Sequence, residues 1–367
     1  MKNACVILRK RMIAGNAGEN AVLQAFSAHG FTFSEMFVFD YLNETKIRET
    51  LSALQTSMEN VLLLADKNVL SIARKYLSEV YPNVFPQGEM VSAGIFGDQK
   101  HNIFLLSADE TDTGVVYAKQ ACIPLLEKKY GISYDRLIIR AMGANEARIE
   151  ALIREAENLA KNAISCTHVR DYDDSRIEIA YNNTLSKTVV DGILRLFVDG
   201  LGDSVYALDD TPINEQLIHL LKLRKAKVSV AESFTGGGVA RRLTAVSGAS
   251  EVYFEGLNTY NELSKWKRLG VSEYTLRTFG AVSDQCAYEM CAGLLKTGDC
   301  ELGISTTGIA GPNTDKSMLP VGLCYVAVGT KERIFVYRYK FDGSRTDISE
   351  KAINYALFLA YKHAKNL

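Results

Sequence analysis

The sequence predicts an α/β protein of more than one domain, and three observations carry that expectation. Short apolar runs alternate with longer amphipathic stretches through the first and last thirds of the chain, the pattern of mostly parallel sheets covered by helices. The chain has 367 residues, more than one hydrophobic core ordinarily organises. Hydrophobic residues make up 47% and charged residues 23%, a balance that supports packed cores and argues against disorder.

Element by element, residues 4–8 read as a strand and 19–29 as a helix, closed by Gly30 as a C-terminal stop. A strand at 37–39 precedes a helix at 45–57; a buried strand at 61–64 precedes a helix at 71–80. From about residue 135 the order changes to strand (137–141), long helix (144–161), strand (177–181) and helix (186–198), a small α+β module. Thr211-Pro212 then opens a helix carrying Leu217, Leu220, Leu221 and Arg224. Further strands are expected at 228–231, 302–305, 322–328 and 334–341, with helices at 238–244, 261–269, 283–296 and 346–363. The expected domains are therefore residues 1–134, 135–208 and 209–367.

Lys and Arg number 42 against 43 Asp and Glu, a formal net charge of -1, so no global basic field draws the chain to nucleic acid or an anionic membrane. The seven cysteines form no CxxC pair and have no histidine at zinc-ligand spacing, which fits reduced thiols in a cytoplasm and no metal. The amino terminus lacks a signal-peptide pattern, and no apolar run reaches membrane-spanning length. A soluble, cytoplasmic protein is expected.

Chemistry concentrates after residue 228. A short strand runs into Glu232-Ser233-Phe234-Thr235-Gly236-Gly237-Gly238 and then a helix. Glycines admit a ligand close to the backbone and helix-start amides favour an anion, but the same residues also make a plain tight turn. Spacing alone leaves both readings open. A second glycine turn, Ser305 to Pro312, also follows a strand, and two such turns would meet at one crevice. Between them lie Ser250, Tyr260 and Lys265, the residue types for a nucleophile, a proton relay and a base. A serine hydroxyl needs a neighbour to take its proton, and lysine does so only when desolvation lowers its pKa. As isolated residues these three read far more readily as loop serine, packed tyrosine and surface lysine.

Taken together, AESFTGG, SGAS, NTYNELSK, GAVS (Gly280 to Ser283), TTGIAGP and LPVG (Leu319 to Gly322) resemble the CinA family, in the family's order across 209–367. They are most similar to its carboxyl-terminal nicotinamide mononucleotide deamidase domain. The resemblance implies a CinA-type α/β deamidase domain that converts nicotinamide mononucleotide to nicotinate mononucleotide and ammonia without a cofactor. It implies Ser250 as nucleophile, Tyr260 as relay and Lys265 as base. Substrate would be held by Ser233, Thr235, Gly236, Gly237, Thr307, Gly308, Gly311 and Arg345, the last facing the phosphate or making a surface ion pair. Two stretches depart from the family pattern: Phe341-Asp342-Gly343-Ser344-Arg345, and Asn313-Thr314-Asp315-Lys316, which lacks a glycine run.

The resemblance extends to a molybdopterin-binding-like α/β domain at 1–134 and a KH-like α+β domain at 135–208, with a homodimer implied. Gly15 and Asn20 match a family block. Ala65-Asp66-Lys67-Asn68 and Ser107-Ala108-Asp109-Glu110 stand where a glycine-rich cradle and a P-G-x-P turn would be, so the first domain reads as degenerate. Asp109, Glu110 and Asp112 could bind a divalent cation or form a solvated acidic turn. The middle domain lacks the basic face of an RNA binder. Two other functional readings stay open: a catalytically silent nucleotide-binding scaffold, and a metal-dependent nucleotide (ADP-ribose) pyrophosphatase in the first domain.

Overall fold

A computed structural model describes residues 2–10, 17–81, 85–86, 94–97, 101–108, 113–314 and 318–367. The chain's contacts group into two compact units: Met1–Arg136, Ala160–Ser165 and Ile179–Val190 in one, Leu137–Leu159, Cys166–Glu178 and Asp191–Leu367 in the other. Gly15, Asp109, Glu110, Asp112, Asp315 and Lys316 lie outside the described residues.

In the first unit, β1 (Asn3–Arg9), β2 (Glu35–Asp40), β3 (Asn60–Ala65), β4 (Phe85–Pro86), β5 (Gly94–Gly97) and β6 (Asn102–Ser107) form a sheet of order β2-β1-β3-β6-β5-β4. β2, β1, β3 and β6 run parallel, and β5 joins antiparallel. Burial on both faces explains why β1 and β3 read as unbroken apolar runs, whereas the edge strand β2 is half-buried to exposed. Ala4, Val6 and Leu8 pack on one face with α2 (Glu44–Ser57) and α3 (Leu70–Val80). Cys5 and Ile7 pack on the other with α1 (Ala17–Ala28) and with α4 (Thr113–Tyr117) and α5 (Ile123–Tyr130). An apolar sheet of this kind specifies its register weakly, and a polar ladder pins it. Asn3, Asn60 and Asn102 stand in register on β1, β3 and β6. Asn60 Nδ2 donates to Asn3 Oδ1 at 2.8 Å and Asn102 Nδ2 to Asn60 Oδ1 at 2.7 Å. A slip by one residue would leave these buried amides unsatisfied.

Next along the chain, β7 (Tyr134–Met142), α6 (Glu146–Leu159), β8 (Ile164–Asp171), β9 (Asp174–Asn182), α7 (Lys187–Leu201) and β10 (Val205–Ala207) include a sheet of order β10-β7-β9-β8. The sequence reading missed β8, whose burial alternates between half-buried and exposed and gives no apolar run.

The carboxyl-terminal part contains α8 (Ile213–Arg224), β11 (Val228–Glu232), α9 (Gly238–Thr244), β12 (Tyr253–Asn258), α10 (Glu262–Leu269), α11 (Glu273–Thr278), α12 (Asp284–Lys296), β13 (Leu302–Gly308), β14 (Leu323–Gly329), β15 (Ile334–Lys340) and α13 (Arg345–Ala364). Its sheet has the order β12-β11-β13-β14-β15, with β12, β11 and β13 parallel. The chain leaves β11 for β12 on one side and returns to β13 on the other. This is a topological switch point, and the crevice it opens lies at the carboxyl ends of β11 and β13. β12 was absent from the sequence reading, and its presence decides the site.

Candidate active site

Glu232 is the last residue of β11, and the turn Ser233 to Gly237 carries the chain into α9. Gly236 has φ +62° and Gly237 φ +96°; a Cβ at Gly236 would meet open space, and one at Gly237 only an ordinary contact of 4.0 Å with Asn258 Nδ2. Positive φ, and not crowding, is therefore what requires glycine here. The turn is tied to β13: Ser233 N donates to Thr306 O at 3.1 Å, and the Thr235 and Thr306 hydroxyls lie 2.7 Å apart.

Lys265 comes from α10 and is the central group. Its side chain is 1% exposed, and Nζ donates to Ser233 Oγ at 2.8 Å and to Thr259 O at 2.7 Å. Burial pulls the ammonium down from 10.5 to about 8, against the smaller raising effects of Cys286 and Glu262. An ammonium stripped of water and given no carboxylate partner loses its preference for charge, so a usable fraction is neutral near physiological pH. The lysine is buried and desolvated, and its hydroxyl partner is Ser233, not Ser250.

Ser250 does not reach this group. It is exposed and lies on the short turn Ala249–Glu251, ahead of the amino end of β12. Thr259 and Lys265 follow the carboxyl end of that strand. The six residues of β12 run in the same direction as β11, which puts about 16 Å of strand rise between the two ends. The assignment of Ser250 as the serine activated by Lys265 is corrected on this ground.

Tyr260 is, through its hydroxyl, a hydrogen-bond partner of neither Ser233 nor Lys265 among the contacts of the lysine. It is 59% exposed, and its hydroxyl accepts from Arg345 Nη2 at 2.9 Å. Arg345 Nη1 donates to Gly311 O at 2.8 Å, so the guanidinium bridges two loops instead of making a surface ion pair. Arg345 is the first residue of α13, whose N-cap Ser344 and Asp347 form a capping box. The departure from the family pattern at Ser344 thus supplies a helix cap.

The second glycine turn is structural at two of its three expected positions. Thr307 is fully buried and donates to Ala281 O at 2.6 Å. A Cβ at Gly308 would lie 2.5 Å from Cys324 Cβ and 2.9 Å from Leu323 O, so glycine there permits close approach of β14. Gly311 has φ +82° and offers its carbonyl to Arg345.

Beside the turn, Thr235, Gly236, Gly237, Arg241, Arg345 and Ser349 help line an open cavity of ≈ 330 Å³. Glu350 also lines it and pairs with Arg241 and Arg242 at 3.3 and 3.1 Å. The sequence reading did not single out Arg241; its position one turn after three glycines was the available signal. Among the described residues no group of three or more His, Cys, Asp or Glu gathers as metal ligands, and no helix is long and apolar enough to cross a membrane. The seven cysteines are free thiols.

Known proteins resemble this chain as follows. The family described as CinA C-terminal domain matches residues 210–363. A competence-damage inducible protein of Caldicellulosiruptor saccharolyticus is 35% identical over 237 residues, 64% of this chain and 58% of the relative. The chain thus spans less than two thirds of that relative's length. A CinA-like protein of Kosmotoga olearia is 28% identical over 371 residues, covering 96% of this chain and 89% of its own. The crystal structure of competence/damage inducible protein CihA from Agrobacterium tumefaciens shares 34% identity over 42% of this chain and 96% of that one, with a TM-score of 0.39.

Proposed function

The chain belongs to the CinA family, and from that membership we propose that Ser233 and Lys265 are the nucleophile and base of an amidohydrolase. The reaction proposed converts nicotinamide mononucleotide to nicotinate mononucleotide and ammonia. The observation that carries this reading is the buried Lys265 ammonium, 2.8 Å from Ser233 Oγ.

The proposed steps are these. Neutral Lys265, held by its hydrogen bond to Thr259 O, accepts the Ser233 proton while Oγ attacks the carboxamide carbon. The amides of Phe234 and Thr235, which directly follow the nucleophile, make no hydrogen bond among the described residues and are the oxyanion donors proposed. Such a donor is typically worth roughly 3 kcal/mol. The tetrahedral intermediate collapses with cleavage of the C–N bond, and the proton on Lys265 leaves with ammonia. Water, deprotonated by the same lysine, then hydrolyses the acyl-serine ester to the carboxylate and regenerates Ser233. No metal enters these steps. Arg345 would hold the phosphate in the neighbouring cavity, with Arg241, paired to Glu350, beside it, so that remote binding orients the carboxamide.

Ammonia release from nicotinamide mononucleotide tests the reading. Release that survives a chelator and disappears in Lys265→Met supports it. Metal-dependent phosphate chemistry without ammonia would replace it with the pyrophosphatase, and no turnover of either kind would favour the silent scaffold.

A further inference from the structure

The glycine-rich turn has the look of an anion cradle, but the protein fills it with its own carboxylate. Glu232 is 1% exposed. Its Oε2 accepts from Gly237 N at 3.0 Å and Val239 N at 3.1 Å, and its Oε1 accepts from Ala240 N at 2.8 Å. Those are the amides that would otherwise face a ligand at the start of α9. A phosphate placed there would meet a buried carboxylate and no free donors.

The same residue touches the other half of the catalytic pair through its backbone. Glu232 O accepts from Thr259 N at 2.7 Å, and Thr259 O in turn accepts from Lys265 Nζ at 2.7 Å. Glu232 is also the covalent neighbour of Ser233. One residue therefore fixes the turn that presents the serine hydroxyl and the loop that anchors the lysine. Three charge-assisted hydrogen bonds to backbone are stronger and more directional than a cap made by a neutral side chain. They fix the path of the chain from Ser233 to Gly237, and with it the direction of the Phe234 and Thr235 amides.

We propose that Glu232 is a positioning residue: its carboxylate, locked onto the Gly237, Val239 and Ala240 amides, holds Ser233 in line with Lys265 and keeps the Phe234 and Thr235 amides aimed at the reacting carbonyl. This rests on the Ser233–Lys265 reading and adds to it a residue that touches neither substrate nor the reacting atoms. It also gives the glycines a purpose different from phosphate binding. Gly236 and Gly237 bend the chain back so that its amides reach a carboxylate at the end of the preceding strand.

The test uses the full chain and two variants. Glu232→Gln keeps the shape but can present only one oxygen, and its NH₂ group would face a backbone N–H. Glu232→Ala removes the group. Two readouts are taken: the rate at which diisopropyl fluorophosphate phosphorylates Ser233 with loss of fluoride, located by peptide mass, and kcat and KM for ammonia release. The expected result is a fall of tenfold or more in labelling rate and in kcat for Glu232→Gln, with KM changed less than twofold. Formate, a free carboxylate small enough for the space vacated, is expected to restore part of the Glu232→Ala labelling rate and to leave the wild type unaffected. Variants that melt at lower temperature yet label Ser233 at the wild-type rate would overturn the proposal and reduce Glu232 to a helix cap. Wild-type protein that labels at Ser233 but releases no ammonia would remove the amidase reading, while the labelling comparison would still decide the part played by Glu232.

Discussion

Replacing Lys265 by methionine gives a quantitative handle on the burial of its ammonium. Methionine has a similar length, is apolar enough for a buried position, and does not titrate. The unfolded chain holds the lysine proton up to about 10.5, whereas the folded protein releases it at about 8. Between those values unfolding takes up a proton, so wild-type stability rises with pH; the penalty is full below 8 and gone above 10.5. From pH 7 to pH 9.5 that penalty falls by about 2 kcal/mol, since each unit of pKa difference is worth about 1.4 kcal/mol. The hydrogen bonds lost with Lys265 shift the level of the variant's stability but not this slope. Urea unfolding at the two pH values measures it, followed by fluorescence of Trp266, the single tryptophan and the immediate neighbour of Lys265. The wild type should gain about 2 kcal/mol on the variant across the interval. A gap between the two proteins that stays constant with pH would mean that Lys265 is not desolvated.

Other consequences are open to measurement. If ammonia is released, its rate should climb with pH through an apparent pKa near 8, because only neutral Lys265 can accept the serine proton, and a bell centred below 7 would point to another base. Gly308→Ala should destabilise the protein by about 2 kcal/mol or more, read by thermal melting, because its Cβ meets Cys324 Cβ and the backbone oxygen of Leu323. Asn60→Ala should cost about 1–3 kcal/mol in urea unfolding by stranding the amides of Asn3 and Asn102. Ser344→Ala should cost about 1 kcal/mol through loss of the cap on α13.

Much of the fold was legible because its strands are buried on both faces. β1, β3, β11 and β13 appear in the sequence as apolar runs bounded by turns, and Ser283 and Asn261 announce the helices they cap. β12 did not, for a physical reason. It is an edge strand, and Tyr253-Phe254-Glu255-Gly256-Leu257-Asn258 mixes an exposed aromatic, a carboxylate and a glycine. Read as a loop, those six residues let Ser250 fold back toward Lys265; as a strand, they carry it to the other end of the sheet. The lysine itself was legible, because its block of neighbours is specific. Its partner was not: Ser233 lies 32 residues earlier, and only the parallel pairing of β11 with β12 sets the two side by side. Glu232 also escaped the sequence reading. A glutamate before a glycine run looks like one more solvated charge until the helix start folds back onto it.

Which serine Lys265 serves is decided by a single comparison. Ammonia release from nicotinamide mononucleotide is measured for Ser233→Ala and Ser250→Ala side by side with the wild type. Abolition in the first, with turnover retained in the second, is what the 2.8 Å contact between Lys265 and Ser233 predicts. Full activity without the Ser233 hydroxyl, or its disappearance only without that of Ser250, would contradict it.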